Sequence, residues 1–134
     1  MIDHLFAFAS EPAAKAALPA YTYTDEEGAA QWDTALVIRN VRVVTADPTF
    51  DEAGEMLTPG AALPGYWLIL STPGDTPNPE LVAMTAHRLC AKRETGEILT
   101  TGFRADPALM ATVLRIDGAP AGSAYPWGAA TPPL

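Results

Sequence analysis

The chain has 134 residues, of which 49% are hydrophobic and 18% are charged, and its net charge is −8. A single domain of this size can bury enough surface to fold without disulfides or metal ions. Residues 1–60 hold ten acidic and three basic residues, which argues against nucleic acid as a partner because phosphate backbones are bound by basic surfaces. We therefore expect one small globular domain that binds no nucleic acid.

Thirteen prolines and ten glycines predict short elements that are joined by turns. The single cysteine, Cys90, cannot form an intramolecular disulfide. The first residues lack the Lys or Arg that begins an export signal, and no apolar run has the length of a membrane helix. We expect an α+β domain with a mainly antiparallel sheet, two or three short helices and long Pro/Gly-rich loops, without an export signal or a membrane span.

The first segment is predicted to form a strand and then a helix. Apolar residues recur between positions 2 and 8, and Ser10 is a suitable N-cap for a helix that ends at Pro19. Because nearly every residue of this helix is alanine, we expect it to lie flat against a sheet.

Two strands joined by an acidic turn are predicted next. Residues 20–24 alternate aromatic and hydroxyl side chains, the turn occupies residues 25–28, and residues 34–45 are rich in β-branched side chains. Strict alternation along the second strand would place Val37 and Val41 on the same face.

The most apolar run, residues 62–72, is predicted to be the central strand. Its side chains from Tyr66 to Leu70 are hydrophobic without a break, which is typical of a strand covered on both faces. The preceding residues 47–60 form a loop by composition, and a loop of this length is expected to be functional or held by a partner.

Two interpretations remain open for the segment that begins at Asn78. The Asn-Pro-Glu sequence there predicts a helix, which could continue to Arg93. Alternatively, the helix ends near Ala86, and residues 87–93 form a strand that turns into residues 98–103. We favour the second interpretation, because a glycine-containing turn between two short apolar runs is typical of a hairpin.

A last short helix is predicted to begin at Asp106. Residues 117–134 then consist largely of alanine, proline, glycine and serine, with too few apolar residues for a core. We therefore predict a compact domain of residues 1–116 and an extended arm of residues 117–134. In that arm, Tyr125 and Trp127 are expected to bind a partner, because their apolar area needs a surface to cover it.

His87 and Cys90 are candidates for chemistry because ligands three residues apart share a face on a helix. A metal site needs further ligands, and only His4 or scattered carboxylates are available. If the segment is a strand, the same spacing places the two side chains on opposite faces, which also argues against a cysteine nucleophile activated by histidine. We predict no metal site, no cofactor and no catalytic residue.

Other motifs for chemistry are missing from the sequence, which has neither a nucleophile elbow nor a phosphate-binding glycine loop. The carboxylate clusters at residues 25–27 and 51–55 lack the spacing of an EF-hand and are predicted to be solvated turns. Among the aromatic residues, Trp32, Tyr66 and Trp67 are expected in the core, although an exposed set could stack on a sugar.

Three phrases of the sequence resemble a known group of proteins: MIDHLFAFAS at the start, LPGYWLIL in the centre and AGSAYPWG near the end. In these phrases the chain is similar to small tail-region proteins of tailed bacteriophages and prophages of alphaproteobacteria. The resemblance brings no catalytic residues and does not extend to residues 47–60. It implies a non-enzymatic structural component of the virion, in the tail tip or baseplate region, that contacts other virion proteins or copies of itself.

Two alternatives to this role stay open on the sequence. The first is a host-receptor or carbohydrate-binding module of the phage tail, which would bind glycans of the host surface through exposed aromatic residues. The second is a capsid decoration protein or a tail assembly chaperone. A virion component would be assembled in the bacterial cytoplasm and found in the particle, whereas a chaperone would be absent from it.

Overall fold

The computed structural model describes residues 1–33 and 37–118. In chain order the elements are β1 (Ile2–Phe8), α1 (Glu11–Ala17), a 3-10 turn (Pro19–Tyr21), β2 (Thr22–Thr24), β3 (Ala30–Trp32), β4 (Val37–Ala46), β5 (Thr49–Phe50), β6 (Met56–Thr58), β7 (Ala61–Ala62), β8 (Tyr66–Thr72), α2 (Pro79–Val82), β9 (His87–Lys92), α3 (Pro107–Met110) and β10 (Arg115–Asp117). The predicted α+β class, with a mainly antiparallel sheet and three short helices, is confirmed. The predicted arm lies outside the described residues from residue 119 onward, and so do Tyr125 and Trp127.

A six-stranded sheet organises the domain, with strand order β10-β4-β8-β1-β9 and with β7 paired to β4. Strand β8 lies in the middle, between antiparallel partners on both sides. Its side chains alternate between two hydrophobic clusters: Leu68 and Leu70 belong to one, and Trp67 and Ile69 belong to the other. The predicted central strand, covered on both faces, is therefore confirmed.

Helix α1 covers one face of this sheet, and we call the apolar cluster beneath it the helix-side cluster. The backbone N–H of Ala13 donates to the Ser10 hydroxyl at 3.3 Å, so the predicted N-cap is confirmed. Ala14 is buried against the cluster, whose members are Phe6, Ala14, Leu18, Trp32, Val37, Leu68, Leu70 and Leu81. The small alanine side chain allows the close approach that the sequence predicts.

The opposite cluster fills the other face of the sheet with residues from β1, β4, β8, β9 and the C-terminal segment. Its members are Leu5, Val41, Val43, Trp67, Ile69, Leu89, Ala91, Ala105, Met110, Val113 and Ile116. The prediction that Val37 and Val41 share a face is wrong, because three steps along β4 correspond to two along β8 between the pairs Ile38–Ile69 and Val41–Trp67. The extra residue forms a β-bulge, which reverses the side-chain alternation.

The acidic turn at residues 25–28 connects β2 to β3, and not to the long strand at residues 34–45 as predicted. The carboxylate of Asp25 accepts the N–H groups of Glu27 and Ala29, both at 2.9 Å. Gly28 has φ 84°, a left-handed conformation that glycine adopts without a steric cost. The turn therefore produces a separate short strand, β3. The composition of this region did not distinguish β3 from the longer strand that follows it.

Residues 47–60, predicted to be a loop, contain a second hairpin, which is formed by β5 and β6. Its turn repeats the chemistry of the first: the Asp51 carboxylate accepts the N–H groups of Ala53 and Glu55, and Gly54 has φ 83°. We call this segment the acidic hairpin. Both carboxylate clusters are thus turns, as predicted, and the Oδ1 atoms of Asp25 and Asp51 are occupied by backbone donors.

The favoured interpretation of the segment after Asn78 is confirmed, because α2 ends at Val82 and β9 begins at His87. Asn78 caps α2 by accepting two backbone N–H groups. The predicted strand at residues 98–103 is reduced to one bridge between Ala91 and Ile98. The last helix is α3, which begins after Asp106 as predicted. No helix within residues 1–33 and 37–118 is long and apolar enough to cross a membrane.

Candidate metal centre

A β-bulge in β9 brings three ligand-type side chains together. In the β1–β9 pairing, His4 is opposite Cys90 and Leu5 is opposite Leu89, but Phe6 is opposite His87. One step along β1 therefore corresponds to two steps along β9, so β9 has one extra residue there. That extra residue, placed between His87 and Leu89, restores His87 to the face that Cys90 occupies. The expectation that a strand separates these two side chains is therefore wrong, and His4 of β1 joins them.

The three side chains are fully buried, and one ligand atom of each lies within 4.8 Å of the others. His87 Nδ1 lies 2.8 Å from the carbonyl oxygen of Gly102, which can only accept, so His87 carries its proton on Nδ1. His87 Nε2 is then an acceptor, and it receives the Nδ1–H of His4 at 2.9 Å. The hydrogen bonds thus fix the neutral tautomers of both imidazoles.

The outer nitrogen of His4 has longer contacts to two neighbours. The hydroxyl of Thr72 lies 3.4 Å from His4 Nε2, and the backbone N–H of Asn78 donates to the same atom at 3.5 Å. The thiol of Cys90 donates to the carbonyl oxygen of Thr101 at 3.4 Å. Every polar group of the cluster therefore has a partner without needing a charge, as buried polar groups generally do.

Burial keeps all three side chains neutral. Burial, together with the nearby His87, lowers the pKa of His4 from 6.5 to about 4, against the opposing effect of Asp3. Burial also lowers the pKa of His87, although its hydrogen bond to Gly102 opposes this. The pKa of the Cys90 thiol rises to about 11 for the same reason. A thiol of this kind is a poor nucleophile, because the thiolate is the reactive species.

A second polar network lies on the other face of β1, next to the opposite cluster. Arg93 donates through Nε to Asp3 Oδ2 at 3.0 Å and through Nη2 to Asp3 Oδ1 at 2.7 Å. Ser71 accepts a further hydrogen bond from Arg93 Nη2 and donates its hydroxyl to Asp3 Oδ1 at 2.6 Å. The buried carboxylate is thereby held by a bidentate guanidinium, so its charge is neutralised away from the histidines.

Comparisons of the chain with protein families, with curated proteins and with solved structures found no match. The role of the buried cluster has to be inferred from its own chemistry. A neutral His–His–Cys cluster cannot act as an acid–base pair near neutral pH, but it presents two imidazoles and one thiol, which are ligands for zinc and for monovalent copper.

A pocket of about 570 Å³ lies between the β7–β8 connection and α3. Arg88 and Arg104 line it together with Trp67, but each arginine also donates to a backbone carbonyl oxygen. Its one acid, Asp106, caps α3. The described lining of this pocket contains no paired nucleophile and base.

The acidic hairpin was the feature that sequence reasoning assigned least well. Phe50, Met56 and Leu57 lie on it with more than half of each side chain exposed. The available signal was the second Asp-Glu-x-Gly turn, which apolar residues flank on both sides as in other hairpins.

Proposed function

We propose that this chain is a non-enzymatic structural component of a bacteriophage virion, in the tail tip or baseplate region, and that it acts through protein–protein contacts. The resemblance of three sequence phrases to phage tail-region proteins supports the placement. The observation in the fold that supports an interaction role is the acidic hairpin, because every residue from 47 to 60 is exposed.

The hairpin carries apolar surface that the described domain leaves uncovered. Phe50, Met56 and Leu57 are 54%, 57% and 64% exposed, and Phe50 pairs directly with Met56 across the two strands. A two-stranded hairpin is only marginally stable by itself, and large exposed apolar residues that lie close together mark interaction sites. Burial against a partner would stabilise the hairpin and remove this surface from water.

The negative charge of the acidic hairpin indicates which kind of protein surface can bind it. Residues 47–60 contain the acids Asp47, Asp51, Glu52 and Glu55 and no basic residue. An interface that places apolar side chains in the centre and charges at the rim therefore needs a partner with an apolar pocket and a basic rim. We propose that another virion protein or a second copy of the chain provides it.

The chemistry of the described residues supports a non-enzymatic role. His4, His87 and Cys90 are buried, neutral and hydrogen-bonded to one another or to backbone groups. An acid–base or nucleophilic role would need one of them to reach a substrate with a pKa nearer to neutrality.

The glycan-binding alternative receives less support from the aromatic side chains. Trp32 and Trp67 are buried, so neither can stack on a sugar in this conformation. Tyr23 is exposed, but an isolated tyrosine offers less than the apolar surface of the acidic hairpin. The hairpin therefore favours a protein partner over a glycan.

The proposal predicts that a Phe50→Ser, Met56→Ser, Leu57→Ser variant stays folded but is not incorporated into particles. Exposed substitutions of this kind change the free energy of unfolding by roughly 0.5 kcal/mol each or less. Loss of the apolar anchors, in contrast, removes the part of an interface that contributes most binding energy. The measurements are thermal unfolding of the purified variant and its abundance in particles from a host that carries the mutated phage or prophage gene.

A Tyr23→Ser, Leu114→Ser variant is the matched control, because both residues are also exposed hydrophobics but lie outside the hairpin. It should be incorporated like the wild-type chain. Normal incorporation of the triple variant would refute the role proposed for the hairpin.

A further inference from the structure

We propose that His4, His87 and Cys90 form a three-coordinate site for one soft metal ion, with Cu(I) bound in preference to Zn²⁺. The ligand atoms would be His4 Nδ1, His87 Nε2 and Cys90 Sγ, which already face one another. This site is independent of the acidic hairpin and of the proposed virion role.

The geometry requires only small movements. Nitrogen ligands of one ion stand roughly 3.3 Å apart, because each lies about 2 Å from the metal. His4 Nδ1 and His87 Nε2 are 2.9 Å apart, so the imidazoles need to separate by a few tenths of an ångström. Cys90 lies opposite His4 in the β1–β9 register, so its sulfur is placed to be the third ligand.

The hydrogen-bond partners of the two histidines are arranged as is typical around metal-bound histidines. A ligating histidine donates its other N–H to a carbonyl, carboxylate or water, which fixes the ring and its tautomer. His87 already does so, through Nδ1–H to the Gly102 carbonyl oxygen at 2.8 Å. His4 has the Thr72 hydroxyl 3.4 Å from Nε2, and this hydroxyl accepts once that nitrogen carries the proton, whereas the long contact from the Asn78 N–H to Nε2 is then given up.

Charge favours a monovalent ion. Two neutral imidazoles and one thiolate give the site a charge of −1, so Cu(I) makes a neutral buried complex whereas Zn²⁺ leaves one positive charge. An uncompensated charge is costly in a buried site, and the buried carboxylate of Asp3 is already paired with Arg93 on the other face of β1. Thiolate also selects Cu(I), while structural Zn²⁺ sites normally have four protein ligands.

Binding releases one proton. The Cys90 thiol loses its proton to solvent and forms the sulfur–metal bond, while both imidazoles remain neutral. His4 moves its proton from Nδ1 to Nε2, which frees Nδ1 for the metal. No oxidant or reductant is required when the metal is supplied as Cu(I).

A pocket of about 400 Å³ lies beside the β8–α2 connection. Thr72 and Asn78 line this pocket and both contact His4 Nε2, so the pocket lies next to the outer nitrogen of His4. An ion would approach the cluster from this side.

The test is anaerobic competition of the purified, reduced full chain against the Cu(I) chelator bathocuproine disulfonate, followed by the absorbance of the chelator complex. We expect one Cu(I) per chain and a midpoint of thermal unfolding that rises by several degrees, since an ion that binds only the folded state stabilises it. Zn²⁺, measured by competition with a zinc chelator, should bind at least tenfold more weakly. Absence of stoichiometric Cu(I) binding, or tighter binding of Zn²⁺, would overturn the proposal.

Cys90→Ala should lose Cu(I) binding and the thermal shift, and Met56→Leu should keep both, because Met56 is an exposed thioether outside the cluster. If the alanine variant does not fold, Cys90→Ser keeps the volume and a donor for the Thr101 carbonyl oxygen and serves the same purpose. Unchanged Cu(I) binding in the folded cysteine variant would assign the ion to another site and refute the proposal.

Discussion

Replacing Arg93 with alanine is expected to lower the free energy of unfolding by about 3–5 kcal/mol, a large part of the stability of a small domain. The reason is that Asp3 is fully buried and Arg93 donates two hydrogen bonds to its carboxylate. Without the guanidinium, the Asp3 carboxylate keeps the hydrogen bond from the Ser71 hydroxyl but loses the positive charge that balances it. Urea denaturation at neutral pH, followed by tryptophan fluorescence, measures the loss.

Arg115→Ala is the matched control, because Arg115 also bridges two carboxylates, those of Asp47 and Asp117, but at the surface. Exposed ion pairs contribute little, so this variant should lose much less stability than Arg93→Ala. Equal losses in the two variants would mean that the buried Asp3–Arg93 network stabilises the fold no more than the surface ion pairs of Arg115 do. The double variant Asp3→Asn, Arg93→Ala should recover part of the loss, because it removes the buried charge that Arg93 balanced.

Gly102→Ala is expected to lower the free energy of unfolding by about 2–5 kcal/mol, the sum of a left-handed backbone cost and a packing cost. Gly102 has φ 70°, and a Cβ atom there would lie 2.8 Å from His87 Nδ1 and 2.8 Å from Val82 Cβ. His87 would have to move from the Gly102 carbonyl oxygen that fixes its tautomer. Thermal and urea denaturation of the purified variant measure the effect.

Gly28→Ala separates the two costs. Gly28 also has a positive φ, of 84°, but apart from its two chain neighbours no atom of residues 1–33 and 37–118 lies within 4 Å of the position of its Cβ. We expect this variant to lose only the backbone part, about 1–2 kcal/mol. If Gly28→Ala and Gly102→Ala lose the same amount, the steric contact with His87 is not a significant constraint.

The strongest local patterns in the sequence predicted the fold well. The unbroken apolar run from Tyr66 to Leu70 indicated a strand covered on both faces, and β8 is that strand. The caps Ser10 and Asn78 were also predictable, since a side chain that accepts early backbone N–H groups is a local device. In these places one short segment contains all the relevant information.

The β-bulges were not predictable in the same way. A bulge depends on how one strand registers against its partner, and the bulges in the β4–β8 and β1–β9 pairs each reverse side-chain alternation. In β4 the bulge separates Val37 from Val41, and in β9 it brings His87 and Cys90 to one face. His4 could be named as a third ligand from composition, but its approach to His87 depends on β1 pairing with a strand more than eighty residues away.

The most direct test of the proposed role is quantitative mass spectrometry of phage particles purified from a host that expresses the chain. We expect peptides of this protein in a fixed ratio to the major tail proteins, and we expect them to co-purify with tails separated from heads. Abundant protein in the infected cell together with its absence from purified particles would contradict a structural role and would favour an assembly chaperone.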